Sequence, residues 1–453
     1  MENIALENTL NAEEIKSLER KRIFYSFLFF FFVIAVFWTL KPLKTSEVVK
    51  SFSLDYYPLI KQGLVLVIPL VIMGYAFLSC FLSRVKLVYF FCATFIILDI
   101  AFFLAFQYAS VAWVKIAFFY YVDAYVTIMV TMFWTFVNDI NNSASAKKVY
   151  WIVGTGGLLG GILGSSIAGW ASYLLGNHIM LVAAAFTLPI AFFVTFIENG
   201  LKTQFGATIG SKPACAKRKD KTTSSEFYEG VTTVFKSKYL ICVLLIVGLY
   251  EIISTIIDYQ FNATASVMFT TATDYSSFQG KVFFWAQVAA LGVQLLLTPF
   301  IHKKYGVLTG LMFLPLALFI GSLAFLVSPL LSVIVFLIGS EAALAYSINQ
   351  ASKEILYVPL DEISKYKGKA FIDMFGLRFF KTIGATILLF YTLYLQHIGF
   401  TSDFLMGTVA ALILVWFGAI FYAGNEFRVK SRELPTTNQK QDEVATEFAT
   451  ERN

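Results

Sequence analysis

Apolar runs long enough to cross a lipid bilayer recur along the whole chain, at about 24–41, 58–83, 86–107, 111–137, 149–176, 178–197, 238–261, 282–301, 306–327, 329–350, 370–395 and 402–423. A membrane-spanning helix needs about 20 residues, so each run suffices for one crossing. Twelve crossings use roughly 240 residues, and the chain has 453, of which 58% are apolar and 14% charged. The polar remainder falls in pieces too short to bury a core of their own. The sequence therefore predicts an all-α polytopic membrane protein of about twelve transmembrane helices, and excludes a large soluble catalytic or nucleic-acid-binding domain.

The net charge of +6 takes its meaning from where the basic residues sit, which is between the apolar runs. Arg20, Lys21 and Arg22 precede the first run with no small-residue cleavage site after it, so the run reads as a spanning helix and not a secretory signal. Arg84 with Lys86, Lys147 with Lys148, Lys217 to Lys219, Lys303 with Lys304, Lys353 to Lys369 and the tail with Arg428, Lys430 and Arg432 occupy alternate connections. Lys and Arg are retained on the cytoplasmic side, which puts both termini there. Four cysteines and three histidines without ligand spacing indicate neither a disulfide framework nor a metal site.

The longest internal polar segment, 199–237, lies near the chain midpoint and divides six runs from six. The expected organisation is a cytoplasmic segment 1–23, a six-helix bundle 24–198, a basic cytoplasmic linker 199–237, a second six-helix bundle 238–424 and a cytoplasmic tail 425–453. That division resembles the two-bundle architecture of major-facilitator-type transporters, which rock about a site near the membrane midplane. The polar tail from Glu433 onward reads as disordered.

Two features inside the runs bear on chemistry. Gly156, Gly160 and Gly164 stand four residues apart, giving one helix a bare face; close helix packing is favoured over a backbone-lined passage. Ionisable residues are more telling, because one at the bilayer centre costs on the order of 3 kcal/mol unless paired or hydrated. The runs hold or border Lys41, Lys44, Asp99, Lys115, Asp123, Glu251, Asp258, Glu341, Arg378 and Lys381. Glu251 and Asp258 are seven apart, and Lys115 and Asp123 eight apart, so each pair shares a helix face and is expected in a common aqueous cavity. Lys41, Asp99 and Lys115 read first as internal ion pairs or snorkelling side chains. The many aromatic residues read as lipid contacts and interfacial anchors.

The segment Lys353-Glu354-Ile355-Leu356-Tyr357-Val358-Pro359-Leu360-Asp361, followed by Lys367-Gly368-Lys369-Ala370, Asp373 and Lys381, resembles the ATP/ADP translocase family of plastids and obligate intracellular bacteria. Leu40-Lys41 with Lys44, Pro58 with Lys61, Phe133-Trp134 with Asn138, Ala146-Lys147-Lys148 and Asp258 extend the resemblance over both halves. It implies nucleotide exchange without hydrolysis or cofactor, with ATP and ADP and the lipid bilayer as partners and no nucleic acid polymer. It also implies a cell membrane, the inner one in a bacterium. Carried over by motif, Lys44 and Lys381 are cationic phosphate contacts, Asp258 stands where the family has Glu, and Asp123 lies near another acidic position. The chain departs from the pattern at Thr45, at Phe380 and in Phe261-Asn262-Ala263-Thr264-Ala265-Ser266, where the family has Asp, Gly and a lysine-rich stretch.

A nucleotide's phosphates need fixed cations to replace water, which Lys44, Lys381 and Arg378 can supply, Arg as a planar fork and Lys as a point charge. The set expected at the site is Lys44, Asp123, Glu251, Asp258, Arg378 and Lys381, with Asp258 paired to a cation such as Lys381 when empty. The alternative is a proton-coupled symporter of another small metabolite, with Asp123, Glu251, Asp258 and Glu341 as proton carriers.

Overall fold

The computed structural model describes residues 12–52, 54–109, 111–140, 143–205, 223–360 and 364–433, and these are helical with short connections. The basic cluster Lys217 to Lys219 and the tail beyond Glu433 lie outside the described residues. In order the rods are α1 (Ala12–Ser51), α2 (Tyr57–Phe81), α3 (Arg84–Tyr108), α4 (Ala112–Ile140), α5 (Ser143–Ser166) and α6 (Ile179–Phe205). After a linker helix (Thr223–Lys236) come α7 (Lys238–Ser266), α8 (Ala272–Gly292), α9 (Val307–Val327), α10 (Leu331–Leu344), α11 (Leu377–Phe390) and α12 (Ser402–Glu433).

Among the described residues, ten stretches are long and apolar enough to cross a membrane. One of them, Tyr150–Gly200, has 51 residues, which as one helix would measure about 77 Å against a core of about 30 Å. The chain turns instead at Gly176, whose φ of +49° few residues with a side chain adopt, and the stretch becomes α5 and α6. The rod containing α11 is interrupted by π-helical turns at Ser364–Gly368, Ile372–Gly376 and Tyr391–Leu395. Similar turns extend α5 (Ile167–Ala171), α8 (Val293–Leu297) and α10 (Ala345–Asn349). Twelve rods result among the described residues, the number expected.

In the first half α1 packs on α4, α5 and α6, and α3 on α6; in the second, α7 packs on α10, α11 and α12, and α9 on α12. The first half has an apolar core of its own, and the core of the second half takes in Trp38, Val48, Tyr57 and Phe119 of the first. The halves meet where α8 lies on α1 and α5, and where α2 lies on α11. Gly156, Gly160 and Gly164 all face the α1 backbone, where a β-carbon would run into the carbonyls of Phe27, Phe31 and Ala35. This is the close packing their spacing suggested. The linker differs from a plain polar loop: its helix docks on the chain before α11 through a Glu229–Lys367 ion pair, with Gly230 against Phe371.

Because the number of rods is even, α1 begins and α12 finishes at one end, here the terminal end. The opposite end, where α1 runs into α2 and α7 into α8, is the far end.

Candidate functional site

The last turns of α1 carry the first group of charges. Lys44 is 5% exposed and forms an ion pair with Asp123 of α4, its ammonium 4.4 Å from the centre of the Phe119 ring. One turn on, Glu47 takes Lys115 of α4 at 2.8 Å, and Lys115 also donates to Ser51 at 2.7 Å. Two bridges thus bind α1 to α4, and Lys115 and Asp123 each turn to α1 and not to each other. Lys41 lies between the rings of Trp38 (4.2 Å) and Phe283 of α8 (4.4 Å), a cation–π clasp between the halves. Asp99 belongs to the core of the first half, where the Tyr121 hydroxyl donates to it at 2.7 Å.

Asp258 of α7 is held by α2 of the other half: Lys61 pairs with it and the Tyr57 hydroxyl donates to it at 3.0 Å. The expected Asp258–Lys381 pair is therefore corrected to Asp258–Lys61. Pro58 stands in the first turn of α2, where its missing N–H leaves no helical bond unmade, and Lys61 follows one turn later. The run after Asp258 replaces charge with amide contacts. Asn262 donates to the Asp258 carbonyl at 2.6 Å and accepts from Tyr275 (2.7 Å) and Gln279 (3.0 Å) of α8.

Among the described residues, most polar ties between the halves sit at the far end. Lys50 donates to the carbonyls of Ser266 (2.6 Å) and Phe269, Gln62 to Thr386 (2.9 Å), Tyr173 to Asp274 (2.5 Å) and Ser277 to the Gly169 carbonyl (2.5 Å). A weaker tie, Gln294 to Thr155 at 3.3 Å, lies nearer the terminal end. On that side a cavity of about 230 Å³ opens among α7, α10 and α11, lined by Tyr250, Glu251, Tyr346, Asn349, Gln350 and Lys353 with apolar neighbours including Leu377. Among the described residues the polar ties between the halves thus concentrate at the far end, and this cavity of the second half lies toward the terminal end.

The remaining predicted residues border this opening. Lys381 is exposed, and its charge acts on Lys41, Lys44 and Glu251. Arg378, half-buried, precedes it by one turn; neither forms an ion pair with another described residue. Glu251 lines the cavity and Glu341 lies behind it, accepting from Tyr250 at 2.6 Å and Ser254 at 3.0 Å. The structure therefore gathers Lys381, Arg378 and Glu251 near the opening, sets Lys44 with Asp123 in the α1–α4 wall, and gives Asp258 to the far-end closure. The motif lysines 367 and 369 lie apart from it, paired to Glu229 and Glu354.

Lys61, Tyr57, Glu47 and Asn349 were missing from the expected set. Lys61 and Pro58 carried a signal in the motif match; Tyr57, Glu47 and Asn349 carried none.

The model of the family "TLC ATP/ADP transporter" matches residues 109–427. ADP,ATP carrier protein 1 of Chlamydia trachomatis is 25% identical over 315 residues, 63% of this chain and 60% of that protein. The plastidic ATP/ADP-transporter of Solanum tuberosum is 27% identical over 64% of this chain and 50% of its own length. ADP,ATP carrier protein 1 of Rickettsia prowazekii is 23% identical over 70% of both. The matched stretch thus spans between about half and 70% of these relatives. Among solved structures, the human organic anion transporter MFSD10 superposes with TM-score 0.57 at 16% identity, over 89% of this chain and 99% of that one. Nucleoside transporter NupG superposes with TM-score 0.56 at 13% identity, over 91% and 98%. These identities speak for a major-facilitator-like fold alone.

Proposed function

Since the chain belongs to the TLC ATP/ADP transporter family, we propose that it is a secondary transporter exchanging ATP and ADP across a membrane by alternating access, without hydrolysing them. The observation that supports this most is the arrangement of charge. Lys381 and Arg378, which pair with no carboxylate among the described residues, stand beside the cavity, while the paired Lys61 and Asp258 fasten the two halves nearer the far end.

A nucleotide entering from the terminal end meets Lys381 and Arg378 first. Its three or four negative charges then compete with Asp123 for Lys44 and, deeper, with Asp258 for Lys61. Each lysine can trade a carboxylate for a phosphate at little net change in pairing, so the closure at the far end loosens only when an anion replaces Asp258. Without one, parting Lys61 from Asp258 leaves both charges facing a low-dielectric seal, which costs several kcal/mol. Exchange follows, because the site reorients only when occupied.

The distribution of lysine and arginine supports a cytoplasmic terminal end, hence cytoplasmic termini and 199–237 linker, and a cavity that faces the cytoplasmic side. The two six-helix bundles 24–198 and 238–424 are the rocking bodies, and the membrane is a cell membrane, the inner one in a bacterium. The relatives lend no support to proton-coupled symport of another metabolite.

The test is uptake of labelled ATP by cells expressing the protein, with and without ADP loaded inside. Exchange predicts uptake that rises steeply with internal ADP. Uptake indifferent to internal nucleotide and driven by a pH gradient overturns it.

A further inference from the structure

We propose that the cavity among α7, α10 and α11 is the nucleobase subsite, and that Asn349 reads adenine there. This rests on the nucleotide-exchange reading above and adds which part of the substrate binds where, and through which residue.

Size is the first argument. At about 230 Å³ the cavity falls below the roughly 300–1,000 Å³ that encloses a whole drug-sized ligand, so it suits one part of a nucleotide. Charge decides which part. The lining holds Glu251 and a single cation, Lys353, whose charge acts on Glu251 and on Asp373. Glu341 stands just behind, bonded to Tyr250 and Ser254. A triphosphate would be repelled by two carboxylates; an uncharged ring would not. Phosphates have their cations next door, for Leu377 lines the cavity and Arg378 and Lys381 follow on the same helix.

The walls suit a flat aromatic ring. Tyr346 is 49% exposed and packs edge-on against Trp38 of α1, 6.1 Å between ring centres. Tyr250 is fixed by its hydroxyl on Glu341. A base of any identity can stack on such a face, since every base has a π-face. Asn349 supplies the reading. It lines the cavity, is 8% exposed, and its Oδ1 has no hydrogen-bond partner among the described residues. It ends the π-helical turn Ala345–Asn349, a distortion found often at functional sites. A buried amide oxygen left unmet is costly. Once a side-chain rotation turns this amide to the cavity, adenine meets both of its ends: the N6 amine donates to Oδ1 and N7 accepts from Nδ2. Inosine and guanine present an oxygen in place of that amine, so the amide can satisfy one atom only. Glu251, an acceptor on the same lining, suits the ribose hydroxyls.

The experiment is competition for labelled ATP uptake by unlabelled ATP, ITP and 7-deaza-ATP, in the wild type and in Asn349→Leu, with protein in the membrane quantified for each. The wild type is expected to prefer ATP over both analogues by about ten-fold or more, and Asn349→Leu to bring both ratios toward one. Tyr346→Ala is expected to weaken ATP and ITP alike, and Tyr346→Phe, which keeps the ring, to lose less of each. A wild type that takes up ATP but treats ITP equally, an Asn349→Leu variant that keeps the full preference, or a Tyr346→Ala variant indistinguishable from wild type overturns the subsite while leaving exchange standing. Failure of the wild type to take up ATP at all overturns exchange itself, and the subsite with it.

Discussion

At the scale of single residues, the Lys61–Asp258 pair and the Lys44–Asp123 pair have different work although their chemistry is the same. Lys44 and Asp123 join helices of one half; Lys61 and Asp258 join the halves. Asp258→Asn is expected to leave the protein in the membrane but slow exchange, because the far end no longer closes on a charge. Asp258→Lys with Lys61→Asp is expected to recover part of what either change alone loses, since the cycle restores opposite charges across the same gap. Uptake assays of the two single variants and the swap measure the coupling; simple addition of the single losses would mean the pair does not act as a unit. Lys44→Gln and Lys381→Gln each remove a charge-assisted contact of about 1.5–3 kcal/mol, a loss of roughly ten-fold to a hundred-fold. Near-normal uptake by both would remove them from the phosphate path.

At the scale of elements, α5 tests how much small residues matter to the packing. A larger side chain at Gly160 must displace the α1 backbone at Phe31, whereas Gly407 has nothing within 4 Å of its missing β-carbon. Gly160→Leu is expected to destabilise the protein by at least the roughly 1–3 kcal/mol of an overpacked core, and Gly407→Ala, which puts a better helix former into open space within α12, not to lower the thermal unfolding temperature in detergent. Equal melting of Gly160→Leu and wild type would contradict the packing. The elements were also the most legible part of the sequence, because a bilayer admits few structures whose backbone groups are all satisfied, and apolar run length then gives the helices. The turn at Gly176 and the linker were harder. One long apolar stretch hides a reversal that a single glycine conformation makes, and the linker helix takes its place from contacts with Lys367 and Phe371 that lie far away in sequence. The charges at the site were legible as residue types, since each is expensive in a membrane. Their partners were not: helix spacing says which residues share a face, but not which helix that face meets, and so Asp258 was matched with Lys381 when Lys61 holds it. Asn349 gave no signal because an amide within an apolar helix is informative only once its unmet oxygen can be seen.

At the scale of the whole molecule, two claims can be separated. Orientation is the simpler one: a cysteine at Ser224 should react with an impermeant reagent only after the cells are opened, and labelling of intact cells would invert the assignment of ends. The central claim is that the site reorients only when occupied. It is tested most directly with purified protein in liposomes loaded with labelled ADP, by following efflux while ATP is added outside. The account predicts that efflux begins on addition of ATP, stays near the leak rate in buffer alone, and moves one ADP out for each ATP in; efflux that proceeds equally fast with no nucleotide outside would contradict it.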